Sequence, residues 1–205
     1  SSANPGFRDF AITSMMVDGK RSAPGVSFDI NPSTRQVLTN ITAAGHLMSI
    51  ISSGARVHQT GCNGCNGMGQ APATGKISLR TVPRNFPGRS GVADDRVYLC
   101  SPETATAAAL TGVITDPRDL GMPYPKVETP KDWIATTDII EAPLSAEEAR
   151  NVKIQKGPNI ASLPLIAPIN NTIEVILTLK MGDNVSTDTI SPAGAKGLPY
   201  RSNVQ

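Results

Sequence analysis

A chain of 205 residues, 39% hydrophobic but only 4% aromatic, can build a real core in one domain or two small ones, and that core should rest on aliphatic side chains. A formal net charge of +2, with lysines and arginines scattered among acids, excludes a strongly basic face for nucleic acid or an anionic membrane. Three cysteines form an odd, sparse set, which excludes a secreted disulfide scaffold and points to a reducing compartment.

The segment DINPSTRQVLTNITAAG reads as a strand end followed by a helix, with Asn31 as N-cap, Pro32 in the first helical position and Gly45 as terminator. Val37, Leu38, Ile41 and Ala44 share one face of it. HLMSIISSG gives a second short helix ending at Gly54, and ARVHQT a strand that delivers the chain into a glycine-rich loop. ISLRTV (77–82) alternates as a strand and runs into PRNFPGRSG; RVYLC (96–100) is another strand. Ser101 then caps a small-residue helix with Pro102 in its first turn and Gly112 at its end. Strands alternating with helices predict an α/β fold with a largely parallel sheet, whose ligands gather at the carboxyl ends of the strands.

After Asp119 the texture becomes proline-rich and irregular, broken by one short helix whose capping box is Ser145 and Glu148. KGPNIASLPLIAPINN reads as an extended linker, and TIEVILTLK as a fresh strand opening a second domain. The expected division is 1–145 for the α/β domain, 146–172 for the linker and 173–205 for the start of the next domain. The chain opens at Ser1 and stops at Gln205 just after a Gly/Pro-rich loop, so it is expected to be a piece of a longer protein. No apolar run approaches the ~20 residues of a membrane span, and no signal peptide is recognised.

Two motifs carry chemistry. HQTGCNGCNGMGQAPATG holds Cys62 and Cys65 among glycines. Thiolates at this spacing share one metal or cluster, or interconvert as a disulfide. A thioredoxin-like pair should open a helix, which Gly61, Gly64, Gly67 and Gly69 disfavour. Zinc wants four ligands, and Cys100, His46 and His58 lack the spacing to complete them. A plain pair of structural cysteines is the bland alternative. In the second motif Arg84 and Arg89 flank a turn at Pro87-Gly88 and can bind a di- or tricarboxylate, or a phosphate, bidentately. As isolated loop arginines they would be surface charges. A third stretch, GDNVSTDTISPAGA, is polar and turn-rich and weak evidence alone.

In this order the three stretches, with LCSPETATAAALTGVITDPR between them, resemble the aconitase family of iron–sulfur hydro-lyases: aconitase, homoaconitase, isopropylmalate dehydratase and related hydratases. The resemblance implies the C-terminal half of the third, α/β domain, the interdomain linker, and the first strand and loop of the swivelling fourth domain. It implies a [4Fe–4S] cluster held by three cysteines, of which Cys62 and Cys65 match two; the third is expected upstream of Ser1. Cys100 is then an ordinary structural thiol. Arg84 and Arg89 match the R-N-F-x-G-R arginines that grip substrate carboxylates, Arg201 matches one supplied by the fourth domain, and Asp188 and Ser191 shape its loop. The sequence departs at Pro83, where the family has Asn, and at Ser90-Gly91 instead of Asn-Asp, which counts against citrate as substrate. The implied activity is dehydration and rehydration of a hydroxy di- or tricarboxylic acid. The implied partners are a small hydroxy acid and the remaining domains of the same protein, with no nucleic acid and no membrane. The cytoplasm is the expected compartment, or the mitochondrial matrix in a eukaryote. Alone, the 205-residue piece is expected to be inactive; a non-catalytic subunit and a C-x-x-C metal or redox module are the competing readings.

Overall fold

The computed structural model describes residues 5–91, 94, 96–158, 160 and 164–185. Its backbone divides into two units, Ser1–Glu141 and Ala142–Gln205. The first begins with a helix that sequence reasoning missed, α1 (Phe7–Val17). Phe7, Phe10, Ala11 and Ser14 recur at the i, i+3, i+4, i+7 spacing of a buried helix face, and all four are buried. The signal was weakened by Gly6 as N-cap, which has no side chain to offer. Asp9 compensates by reaching back to the Gly6 N–H at 2.8 Å.

Strand β1 (Asp29–Ile30) leads to α2 (Arg35–Ala43) and α3 (His46–Ser52), then to β2 (Arg56–Val57), which pairs with β1 in parallel. The expected cap at Asn31 is corrected: the cap lies three residues later, where the Thr34 Oγ1 accepts the Val37 N–H at 3.1 Å. Asn31 and Pro32 are committed elsewhere. The Asn31 side chain accepts from Gln70 Nε2, and the Pro32 carbonyl accepts the Gly61 N–H at 2.9 Å, so both hold the glycine loop. Beyond that loop, β3 (Ile77–Arg80) and β4 (Arg96–Leu99) form a second parallel pair, with Ile77 opposite Arg96. Helix α4 (Pro102–Thr111) follows with the predicted Ser101 cap, accepting the Thr104 N–H, and ends at Gly112. The α/β reading therefore holds as a mixture of helices and small parallel sheets, with both chemistry-bearing loops leaving the carboxyl ends of strands.

The core lies where α1 crosses α3 and α4. Against the expectation of an aliphatic interior, three of the four phenylalanines, Phe7, Phe10 and Phe28, sit in it with Ile30, Ile41 and Ile50. A ring buries more area than an aliphatic side chain, so few aromatics concentrate where elements meet. The proline-rich stretch after Asp119 is tied down rather than loose: Asn40 brackets Ile134 with two hydrogen bonds of 3.0 Å, and Trp133 meets the Phe7 ring edge-on at 5.6 Å.

His46 packs edge-on against Phe7, and its Nδ1 lies 3.2 Å from Ser14 Oγ. Burial pushes its pKa below the usual 6.5. The fold thus favours the neutral ring, and this stability is fully present above the unfolded value and lost as pH falls through the folded one. The melting temperature should hold above about pH 6.5 and decline below it, less steeply in His46→Gln. Parallel slopes in the two proteins would remove His46 as the cause.

In the second unit the described regular structure is α5 (Ala146–Ala149), whose capping box is the predicted Ser145–Glu148 pair. The strand expected over 172–180 is corrected: no ladder forms there, and Ile173, Val175, Leu177 and Leu179 are all exposed. Alternation can orient side chains, but a strand is held by hydrogen bonds to a neighbour, and none among the described residues pairs with this stretch. Asp188, Ser191 and Arg201 lie outside the described residues.

Candidate functional site

The cysteine loop leaves β2 after His58 and makes a single 3-10 turn over Gly64–Asn66. Cys62 is exposed and Cys65 buried. The two are joined as a disulfide, their Cα atoms 6.0 Å apart. The pair left open by the sequence, cluster ligands or redox couple, is thus closed into its oxidised form. Thiolate ligation requires the reduced form of the same two sulfurs.

Close backbone approach explains the glycines. Gly67 has φ +84°, and its Cα lies against the Ser90 carbonyl, so that a Cβ there would sit 2.0 Å from that oxygen. The cysteine loop and the arginine loop therefore pack directly on one another. Ser90 is fully buried at this contact, and its Oγ finds no hydrogen-bond partner among the described residues.

Arg89 crosses the seam. It is 9% exposed; its Nε donates to the Cys65 carbonyl at 3.0 Å and its Nη2 lies 3.7 Å from the Cys65 sulfur. The guanidinium also stands over the Phe86 ring, 5.7 Å from its centre. Asn85 pins the same loop to β4 through the Val97 carbonyl at 3.1 Å. Arg84 is half-buried in the loop.

Cys100 stands apart, just past β4. Its thiol is half-buried, with its sulfur 3.9 Å from the Arg80 carbonyl, and burial raises its pKa although that hydrogen bond works the other way. It lines a cavity of about 370 Å³ with Phe10, Phe28, Ile30, Val82 and Pro83. Pro83 thus contributes an apolar ring where the family pattern has an amide. His46 is half-buried against Phe7. His58 Nε2 is 2.8 Å from Asp29 Oδ1 across the β1–β2 ladder. Burial of Asp29 acts to raise its pKa, but hydrogen bonds from Ser27, His58 and Arg56 outweigh it and hold the carboxylate below its usual value. Among the described residues no group of three or more His, Cys, Asp or Glu gathers into a metal site. Only in its reduced form would this pair, on one loop beside the Arg89 guanidinium, offer two thiolate donors, with any further ligands left to other residues.

A family model for the aconitase family (aconitate hydratase) matches residues 1–112, the stretch that contains both loops. This chain belongs to the aconitase family. Mitochondrial homoaconitase of Yarrowia lipolytica is 30% identical over 194 residues, which is 94% of this chain and 27% of that protein. Mitochondrial homoaconitase of Cryptococcus neoformans is 32% identical over 195 residues, 94% of this chain and 25% of that protein. The large subunit of 3-isopropylmalate dehydratase from Mycolicibacterium smegmatis is 36% identical over 120 residues, only 58% of this chain and 28% of the subunit. The chain spans about a quarter of the length of these curated relatives.

Two features of this family member escaped sequence reasoning. One is the His58–Asp29 pair, legible only once β1 and β2 are known to be neighbours. The other is Arg80, which reads as an ordinary strand residue in ISLRTV and turns out to be buried against the cysteine loop.

Proposed function

We propose that this chain is part of a hydro-lyase that removes and re-adds water on a hydroxy di- or tricarboxylic acid, and that Cys62 and Cys65 hold two corners of its [4Fe–4S] cluster as thiolates. The observation that carries the reading is the meeting of the two motifs: Arg89 contacts both the carbonyl and the sulfur of Cys65. When bound, a cluster short of one protein ligand supplies a Lewis-acidic iron corner for the hydroxyl and carboxylate of the acid. The remaining protein ligand comes from residues outside this sequence. Arg84 and Arg89 hold substrate carboxylates, with Arg201 adding a third guanidinium from the swivel segment. The bidentate geometry of arginine and its permanent charge suit a burial-prone anion site.

Residues 146–172 serve as the interdomain linker, and 173–205 begin the swivel domain. Supporting this, the homoaconitases match 94% of the chain, whereas the dehydratase large subunit matches 58%. The partners are then the remaining domains of one continuous polypeptide, in preference to a separate small subunit. The cytoplasm or the mitochondrial matrix suits this chemistry, since the thiols must stay reduced; the mitochondrial homoaconitases favour the latter in a eukaryote.

A second reading, a C-x-x-C redox couple, is favoured by the Cys62–Cys65 disulfide itself. The test is iron and acid-labile sulfide analysis of the full-length protein, together with its turnover of aconitate, homoaconitate and 3-isopropylmalate. Iron, sulfide and hydration of one of these acids are expected. The isolated 205 residues should show no turnover. Full-length protein without iron or sulfide, but with a reversible Cys62–Cys65 couple, would replace the first reading by the second.

A further inference from the structure

Arg80 ends β3 with its side chain 9% exposed and turned into the cysteine loop. Its Nη1 donates to the Gly64 carbonyl at 2.5 Å, its Nη2 donates to the Gln70 carbonyl, and its Nε donates to Ser78 Oγ at 3.0 Å. Gly64 immediately precedes Cys65, and Gln70 closes the glycine run. One guanidinium therefore ties both ends of the segment 64–70 to a strand of the second sheet. The Gln70 side chain continues the tie to Asn31 at the end of the first sheet. Three acceptors in different directions around one plane suit a rigid fork; an ammonium carries its charge as a point and spans them poorly.

We propose that Arg80 is a positioning residue: it fixes the backbone on either side of Cys65, so that the sulfur is held against Arg89 and, once reduced, beside Cys62 as a thiol pair open to metal. This deepens the cluster reading and rests on it for its purpose, but the geometry it claims belongs to the thiol loop whether or not iron is bound.

The test uses the full chain, reduced and stripped of iron by chelation. Alkylation by iodoacetamide is followed separately at Cys65 and Cys100 by mass spectrometry, and Co²⁺ alone is titrated against the thiolate-to-metal charge-transfer band. In Arg80→Lys, Cys65 should alkylate about tenfold faster while Cys100 keeps its rate, and Co²⁺ should bind about tenfold more weakly. Ser78→Ala loosens the guanidinium without removing it and should give the same pattern at about threefold. Cys100 is the internal control, because its N–H bonds the Arg80 carbonyl at 3.0 Å in the β3–β4 sheet. Acceleration of both cysteines together would mean that Arg80 merely holds the sheet, and would overturn the proposal. So would an unchanged Cys65 rate, or an unchanged cobalt band despite faster alkylation. A wild-type full-length protein that never takes up iron would sink the cluster reading while leaving these two measurements standing.

Discussion

Gly67→Ala is expected to destabilise the Ser1–Glu141 unit by about 3 kcal/mol or more, the sum of a left-handed backbone cost and a steric one. The first arises because φ is +84°, where any Cβ crowds the following carbonyl. The second is the larger. The added methyl would sit 2.0 Å from the Ser90 carbonyl oxygen, and backbone cannot swing aside as a flexible side chain can. Ser90 is fully buried, so it has nowhere to retreat. Gly69→Ala supplies the control: φ is +70°, but the heavy atom nearest to an added Cβ is His58 Nδ1 at 3.9 Å. Its cost should be the conformational one alone, about 1 kcal/mol. Urea unfolding followed by the single tryptophan, Trp133, which rests on Phe7, reads both. Equal shifts of the two midpoints would show that the loops do not touch at Gly67.

The parts of this molecule that were legible in its sequence are those whose cause is local. In α4, the Ser101 cap, Pro102 and Gly112 lie within one helix length, and each does what its chemistry dictates. Ser145 and Glu148 cap α5 for the same reason. Asn31 shows where local chemistry fails: it has the right side chain for an N-cap, but the cysteine loop, whose Gln70 lies 39 residues on, claims its oxygen. The stretch 172–180 has a strand's alternation, yet its ladder partner is a non-local matter. At the site, composition and spacing pick out Cys62, Cys65, Arg84 and Arg89. They cannot say that Arg89 would face Cys65, nor that Arg80 would turn back to clasp Gly64 and Gln70. Those contacts depend on the cysteine loop meeting both Asn31, just past β1, and Arg80, at the end of β3.

Under the proposed function, Arg89 is the residue whose loss should cost the most activity. In the full-length protein, Arg89→Ala should lower kcat/KM for the hydroxy acid by about 10²–10³, or about 3–4 kcal/mol of transition-state stabilisation. Two roles converge on this side chain. It fixes the Cys65 carbonyl and lies against the Cys65 sulfur. In the proposed substrate role it would also present charge to a carboxylate. Arg89→Lys keeps the charge but cannot reach carbonyl, sulfur and acid from one planar group, so it should recover less than about a tenth of the lost activity. Parallel iron analysis separates the roles. Iron retained with KM raised assigns the loss to the acid, whereas iron lost in proportion to activity assigns it to the hold on Cys65. Arg84 enters the same loop ahead of its turn and is proposed to serve the acid alone, so Arg84→Ala should raise KM and leave the iron content unchanged. An Arg89→Ala protein with full iron and wild-type kcat/KM would mean that this guanidinium only braces the loop seam, and the acid would have to be held elsewhere.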